Sequence, residues 1–249
     1  MKSLADFEFN KVPLCDGMIL ISEMIRDDFT SQYVYDELEN LVSLAREEIN
    51  QARPQDWQLE KLLELFYGEW GFCDTRGVYR LSDALWLDQV LKNRQGSAVA
   101  LGSILLWVAH RLDIPLVPVI FPTQMILRAE WLDVWLKGNI SPVAELFNED
   151  LDEADNAEVI RKLLDTLKSA LMEERQMELA LRASEVLLQF NPEDPYEIRD
   201  RGLIYAQLDC EHVALNDLSY FVEQCPEDPI SEMIRAQINA ISHKQITLH

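Results

Sequence analysis

Basic residues are scarce in this sequence of 249 residues: 22 Lys and Arg stand against 44 Asp and Glu, a formal charge of −22. Such a chain repels phosphate backbones and anionic lipid, so direct binding to nucleic acid or to a membrane surface is not expected. The shortage is even, because residues 1–150 carry 24 acids and 13 bases and residues 151–249 carry 20 and 9. No basic tail hides behind the average. Long apolar runs are missing too. The longest, Ala98 to Ala109, is broken by Gly102 and Ser103 and is too short to cross a bilayer. Met1 to Glu8 lacks the apolar core and cleavage site of a signal peptide, so a cytoplasmic protein is expected.

Cysteine, histidine and glycine are also thin. Cys15, Cys73, Cys210 and Cys225 are too far apart for a disulfide framework or a zinc site, and they read as small buried hydrophobes. His110, His212, His243 and His249 show no ligand spacing, and the eight glycines form no phosphate-cradling loop. No metal and no cofactor is therefore expected. What is present is a globular composition, 48% apolar and 9% aromatic, enough for one large domain or two small ones.

The most specific pattern is a repeat. Asn191-Pro192-Glu193-Asp194-Pro195 recurs 34 residues later as Cys225-Pro226-Glu227-Asp228-Pro229, and Ala180 and Ala214 stand at that same interval. Gly202, Tyr205, Ala214 and Phe221 complete the second unit, while Lys168 and Leu171 replace the Gly and Tyr in the first. This spacing resembles the tetratricopeptide repeat, in which a small residue lets two helices approach and proline ends the second. Helical pairs are predicted over 157–172 with 176–190 and 195–209 with 211–224, and a terminal helix over 230–243 covers the last face. The resemblance implies that Lys162, Tyr196 and Arg199 face a groove suited to an acidic or C-terminal carboxylate ligand; as plain side chains they read equally as solvated. Residues 145–156 form an acidic run without apolar period, a linker between domains at 1–150 and 157–249.

Upstream, Leu38, Leu41, Val42, Ala45 and Ile49 trace one helix face, and Leu59, Leu62, Leu63, Phe66 and Trp70 another, after a first helix over 14–27. Residues 81–92 read as a shorter helix. Residues 97–112 are apolar nearly all round, which places that helix in the interior. Strands are predicted at 116–121 and 125–128, bounded by Pro115 and Pro122.

A buried helix reached through Arg94-Gln95-Gly96-Ser97 and followed by two strands resembles the core of papain-like transglutaminase folds. With Leu14-Cys15-Asp16-Gly17, Phe66-Tyr67-Gly68-Glu69, Phe121-Pro122-Thr123-Gln124 and the repeats, the whole chain resembles the SirB-type (YchA-like) family. The fold class this implies is mostly α with a small β element: a degenerate transglutaminase-like domain joined to a helical repeat module. Active members of the fold carry Cys, His and Asp at three positions. Here Ala98 stands where the cysteine belongs and Gln124 where the histidine belongs, and the third position should lie in a hairpin after Arg128 that relatives carry in a longer form.

The reading is thus a non-enzyme that binds a protein or peptide, with the indirect role in invasion-gene expression that the family resemblance implies. Ser97 reads as a helix cap rather than a substitute nucleophile. His110 reads as a partner of the helix C-terminal carbonyls rather than a displaced base. The alternative is a cysteine-dependent hydrolase or acyl transferase, using a thiol such as Cys73 with His110 as base. Trp131 and Trp135 are the tryptophans expected to leave apolar surface exposed.

Overall fold

In the computed structural model the described residues are 4, 7–75, 80–121, 124–129, 135–137, 141–142 and 155–247. The chain divides into two compact units, Glu8–Leu163 and one built mainly from Leu164–His249. The class is the expected one, mostly helical with small β elements. Among the described residues no helix is long and apolar enough to cross a membrane.

The first unit begins with helices α1 (Leu14–Ile25), α2 (Ser31–Glu48) and α3 (Gln55–Leu63), the last running into a π-helical turn at Glu64–Glu69. The apolar faces of α1 and α2 close on α5 (Ala98–Arg111), whose residues from Ala100 to Ala109 are all buried. Cys15 of α1 is sealed against it, its thiol donating to the Ser103 carbonyl at 3.2 Å.

The helix expected over 81–92 proves to be two pieces, a 3-10 turn at Ser82–Ala84 and α4 (Leu87–Asn93), with Trp86 extended between them. At the break the Ala84 carbonyl accepts the Ser97 N–H at 2.8 Å and so ties the start of α5 to this turn.

Two short strands escaped the sequence reading: β1 (Cys73–Asp74) and β2 (Gln95–Gly96), which pair in parallel. They are too short for periodicity to show. Gly96 is required there, because a Cβ would sit 2.7 Å from a Val90 methyl of α4. Strands β3 (Leu116–Phe121) and β4 (Gln124–Ala129) lie where strands were expected, and they pair antiparallel, Leu116 opposite Ala129 and Phe121 opposite Gln124. Two strands not foreseen, β5 (Trp135–Lys137) and β6 (Ser141–Pro142), extend this sheet in the order β3-β4-β5-β6. Residues 143–154, most of the expected acidic linker, lie outside the described residues.

Helices α6 (Asn156–Glu173), α7 (Met177–Phe190), α8 (Pro195–Gln207), α9 (Glu211–Gln224) and α10 (Ser231–Thr247) follow the predicted pairs closely. The repeated acidic string starts helices: Asp194 caps α8, its side chain accepting Tyr196 N–H at 3.0 Å, and Asp228 accepts Ile230 N–H at 2.8 Å. Gly202 lets α8 and α9 touch, since a Cβ there would lie 3.0 Å from that of Asp217. Arg201 then clamps the same Asp217 with two hydrogen bonds of 2.7 and 2.8 Å. Ile234 of α10 closes over the buried Leu218 and Phe221.

Lys168, which breaks the repeat template, is buried with 2% of its surface exposed. Its ammonium donates to Glu197 at 2.6 Å and Asp200 at 2.8 Å, and Ser184 donates to the other Glu197 oxygen. Burial works to lower its pKa, but the Asp200 and Glu197 carboxylates outweigh burial and hold it above the ordinary lysine range. In a chain short of glycine, helices α5, α6 and α8 close through left-handed Asp113, Arg175 and Asp209, with φ of 56°, 59° and 58°.

Lys168→Met strands the buried Glu197 carboxylate and should cost about 3–5 kcal/mol of unfolding free energy in urea melts, most of it recovered by adding Glu197→Gln. The folded Lys168 pKa is raised, so the wild-type advantage is complete below pH 10.5, the ordinary lysine value, and fades as pH climbs through the higher folded value. Arg175→Gly should stabilise the protein by roughly 0.5–1 kcal/mol in the same melts, because glycine adopts the left-handed conformation without the Cβ penalty.

Candidate functional site

The start of α5 is where transglutaminase-like chemistry would sit. Cys73 N–H donates to Arg94 O at 2.9 Å and holds β1 against β2, which delivers the chain to Ser97. The Ser97 hydroxyl accepts Ala100 N–H at 3.3 Å, as a cap does. Ala98 is the first residue of α5 and presents a methyl group there. Gln124 opens β4, and its side chain lies outside the described residues. Residues 130–134 are outside them as well, and with them the expected third position after Arg128, Trp131 and the approach to Trp135, whose side chain is likewise not described.

Cys73 and His110 are not brought together. Cys73 lies beside the N-terminal end of α5 and His110 in its last turn, and a rise of 1.5 Å per residue puts roughly 18 Å between the two ends. His110 is also engaged elsewhere: its Nε2 lies 2.8 Å from the Leu116 carbonyl, which can only accept, so that nitrogen carries the proton. This corrects the expected partnership of His110 with its own helix's terminal carbonyls, because its acceptor belongs to β3. The Cys15 thiol is pushed far above the ordinary cysteine range by burial, with Asp16 adding to the shift. Cys210 is exposed, and Cys225 is half-buried.

The residues expected in a repeat groove divide between the units. Lys162 belongs to the first and pairs with Glu158 one turn earlier at 3.1 Å, both side chains about half exposed. Tyr196 and Arg199 lie together on α8. The Arg199 guanidinium sits 5.5 Å from the Tyr196 ring centroid and 5.3 Å from that of Phe221, and it bonds Asp200 at 2.6 Å. The positive charge expected to await a ligand carboxylate therefore already faces one. Tyr196, 48% exposed, donates its hydroxyl to Asp228 at 3.0 Å. That hydrogen bond and the charge of Asp228 hold the phenol above its ordinary pKa. Asp228 in turn fixes the start of the segment carrying Ile230 and Met233, which are 38% and 62% exposed.

Sequence reasoning missed Asp228, Ile230 and Met233 as members of this surface. The signal was available for Asp228, which stands in the repeated string, but not for its bond to Tyr196 across 32 positions. Among the described residues no group of His, Cys, Asp and Glu could hold a metal ion.

Comparison with known proteins agrees with this geometry. Residues 32–133 match the transglutaminase-like superfamily, and residues 167–239 match the tetratricopeptide repeat. The chain is 79% identical to "Protein SirB1" of Salmonella typhimurium and 77% identical to "UPF0162 protein YchA" of Escherichia coli K12, each over 100% of both chains. It is 38% identical to a UPF0162 protein of Vibrio cholerae, again over the full length of both. No solved structure matches. A likeness of this strength over the full length of both chains means that the chain belongs to the SirB1/YchA (UPF0162) family.

Proposed function

We propose that this chain is a non-catalytic interaction protein, in which residues 1–150 are a transglutaminase-like domain without chemistry and residues 157–249 dock a protein or peptide partner. The observation that carries the proposal is the Ala98 methyl in the first turn of α5, where the resemblance puts the attacking thiol of active transglutaminases. A methyl group has no electron pair to attack a carbonyl. Gln124, at the place of the histidine, takes no proton near neutral pH. The docking reading rests on the repeat match and on the exposed Tyr196, with Arg199 stacked on it. Lys162 is the third residue proposed for partner contact. With a charge of −22, an effect on invasion-gene expression of the kind the family resemblance implies runs through protein contacts and not through DNA.

Affinity capture with wild type, Tyr196→Ala and Arg199→Glu tests the docking surface. The variants should lose a partner that wild type retains while keeping the wild-type melting temperature, and an unchanged partner list rejects the surface. Alkylation near neutral pH tests the absence of thiol chemistry. Cys15 should stay unmodified until unfolding, and Cys73 should react no faster than free cysteine. A Cys73 rate at least about tenfold above that of free cysteine would revive the hydrolase reading.

A further inference from the structure

Among the described residues of the unit built mainly from Leu164–His249, the exposed large apolar side chains are Tyr196, Val213, Ile230 and Met233. Three of these share a place in the repeat. The 34-residue period that carries Pro195 to Pro229 also carries Tyr196 to Ile230 and Arg199 to Met233. The Tyr196 hydroxyl, donating to Asp228 at 3.0 Å, joins the first turn of α8 to the approach to α10 and so sets the three on one face. Single exposed apolar side chains are ordinary, but a tyrosine, an isoleucine and an adaptable methionine grouped by the repeat form a surface that a partner can cover.

Around them the charge is nearly all of one sign. Residues 193–233 carry 11 acids and 2 bases. Both bases are spent inside the unit, Arg199 on Asp200 and Arg201 on Asp217. Asp228 has no cationic partner among the described residues. One of its oxygens accepts the Tyr196 hydroxyl and the other the Ile230 N–H, which uses two of the roughly four lone-pair sites of a carboxylate. A carboxylate with acceptor capacity to spare therefore stands at the edge of the exposed apolar side chains.

We infer that the face formed by Tyr196, Ile230 and Met233 docks a basic, apolar segment of a partner protein, with an arginine bonding Asp228 and a neighbouring large apolar side chain resting on Ile230 and Met233. The inference rests on the docking role proposed above and names the chemistry of the partner. It reverses the acidic ligand that the repeat resemblance implies, because Arg199, the cation meant to receive it, is already occupied. A face with this surplus of acids repels an acidic segment and steers a basic one in.

The test follows the fluorescence anisotropy of a short labelled peptide of alternating arginine and leucine added to the full chain, beside a glutamate-leucine peptide and an arginine-glycine peptide of the same length. The arginine-leucine peptide should bind saturably, and the other two at least about tenfold more weakly. Asp228→Asn keeps an acceptor for Tyr196 and Met233→Ser changes an exposed side chain, so each should weaken binding about tenfold with an unchanged melting temperature. Glu185→Gln, which removes one exposed charge from α7, should leave binding within about twofold. Absence of saturable binding, equal binding of either control peptide, indifference to Asp228→Asn or Met233→Ser, or an equal loss in Glu185→Gln overturns the inference. The docking role itself is decided separately, by whether Tyr196→Ala and Arg199→Glu lose a captured partner.

Discussion

Helix α5 has no face for solvent along Ala100–Ala109, and the first unit is arranged around that constraint. Burying a Leu, Ile or Val side chain contributes roughly 1.5–3 kcal/mol, so the helix attracts every apolar face that the surrounding elements offer. Its ends must then be satisfied locally. Ser97 caps one end and ties it to Ala84, at the break between the 3-10 turn and α4. At the other end Asp113 turns left-handed and returns the Ile114 N–H to Ala109 O. Both the turn that carries Ala98 and a cavity that Trp107 lines are consequences of how this one helix is housed.

The second unit solves one packing problem in two ways. Where α8 crosses α9, Gly202 removes the side chain altogether and Arg201 clamps Asp217 beside it. At the equivalent place in α6 the chain keeps a long side chain, Lys168, and spends its charge on Glu197 and Asp200 of α8. Bringing an ammonium out of water is unfavourable by itself, and two carboxylates and a hydroxyl make it tolerable. The exchange replaces close helix contact with an ion cluster spanning helices, which ties the first repeat to the second.

Charge explains much of the remaining surface. With twice as many acids as bases, lysine and arginine are taken up by nearby carboxylates: Lys162 by Glu158, Arg199 by Asp200, Arg26 by Asp28 and Asp88. What such a surface can offer a partner is therefore less a free cation than an aromatic side chain whose stacked arginine is already neutralised. Tyr196, held by Asp228 and covered by Arg199, has that character.

Helical periodicity, the 34-residue recurrence and the all-round apolar stretch were enough to place α1, α2 and α5 to α10, because these signals are local and repeat over many residues. The identities of Ala98 and Gln124 were legible as well, since a residue's chemistry is given at its own position. The two-residue strands were not, because their order comes from partners in other segments, as with Cys73 and Gln95. Nor was the burial of Lys168, a residue that every scale assigns to the surface until its carboxylates are found 29 and 32 positions away. The separation of Cys73 from His110 and the hold of Asp228 on Tyr196 depend on distances between elements, which only the packed structure decides.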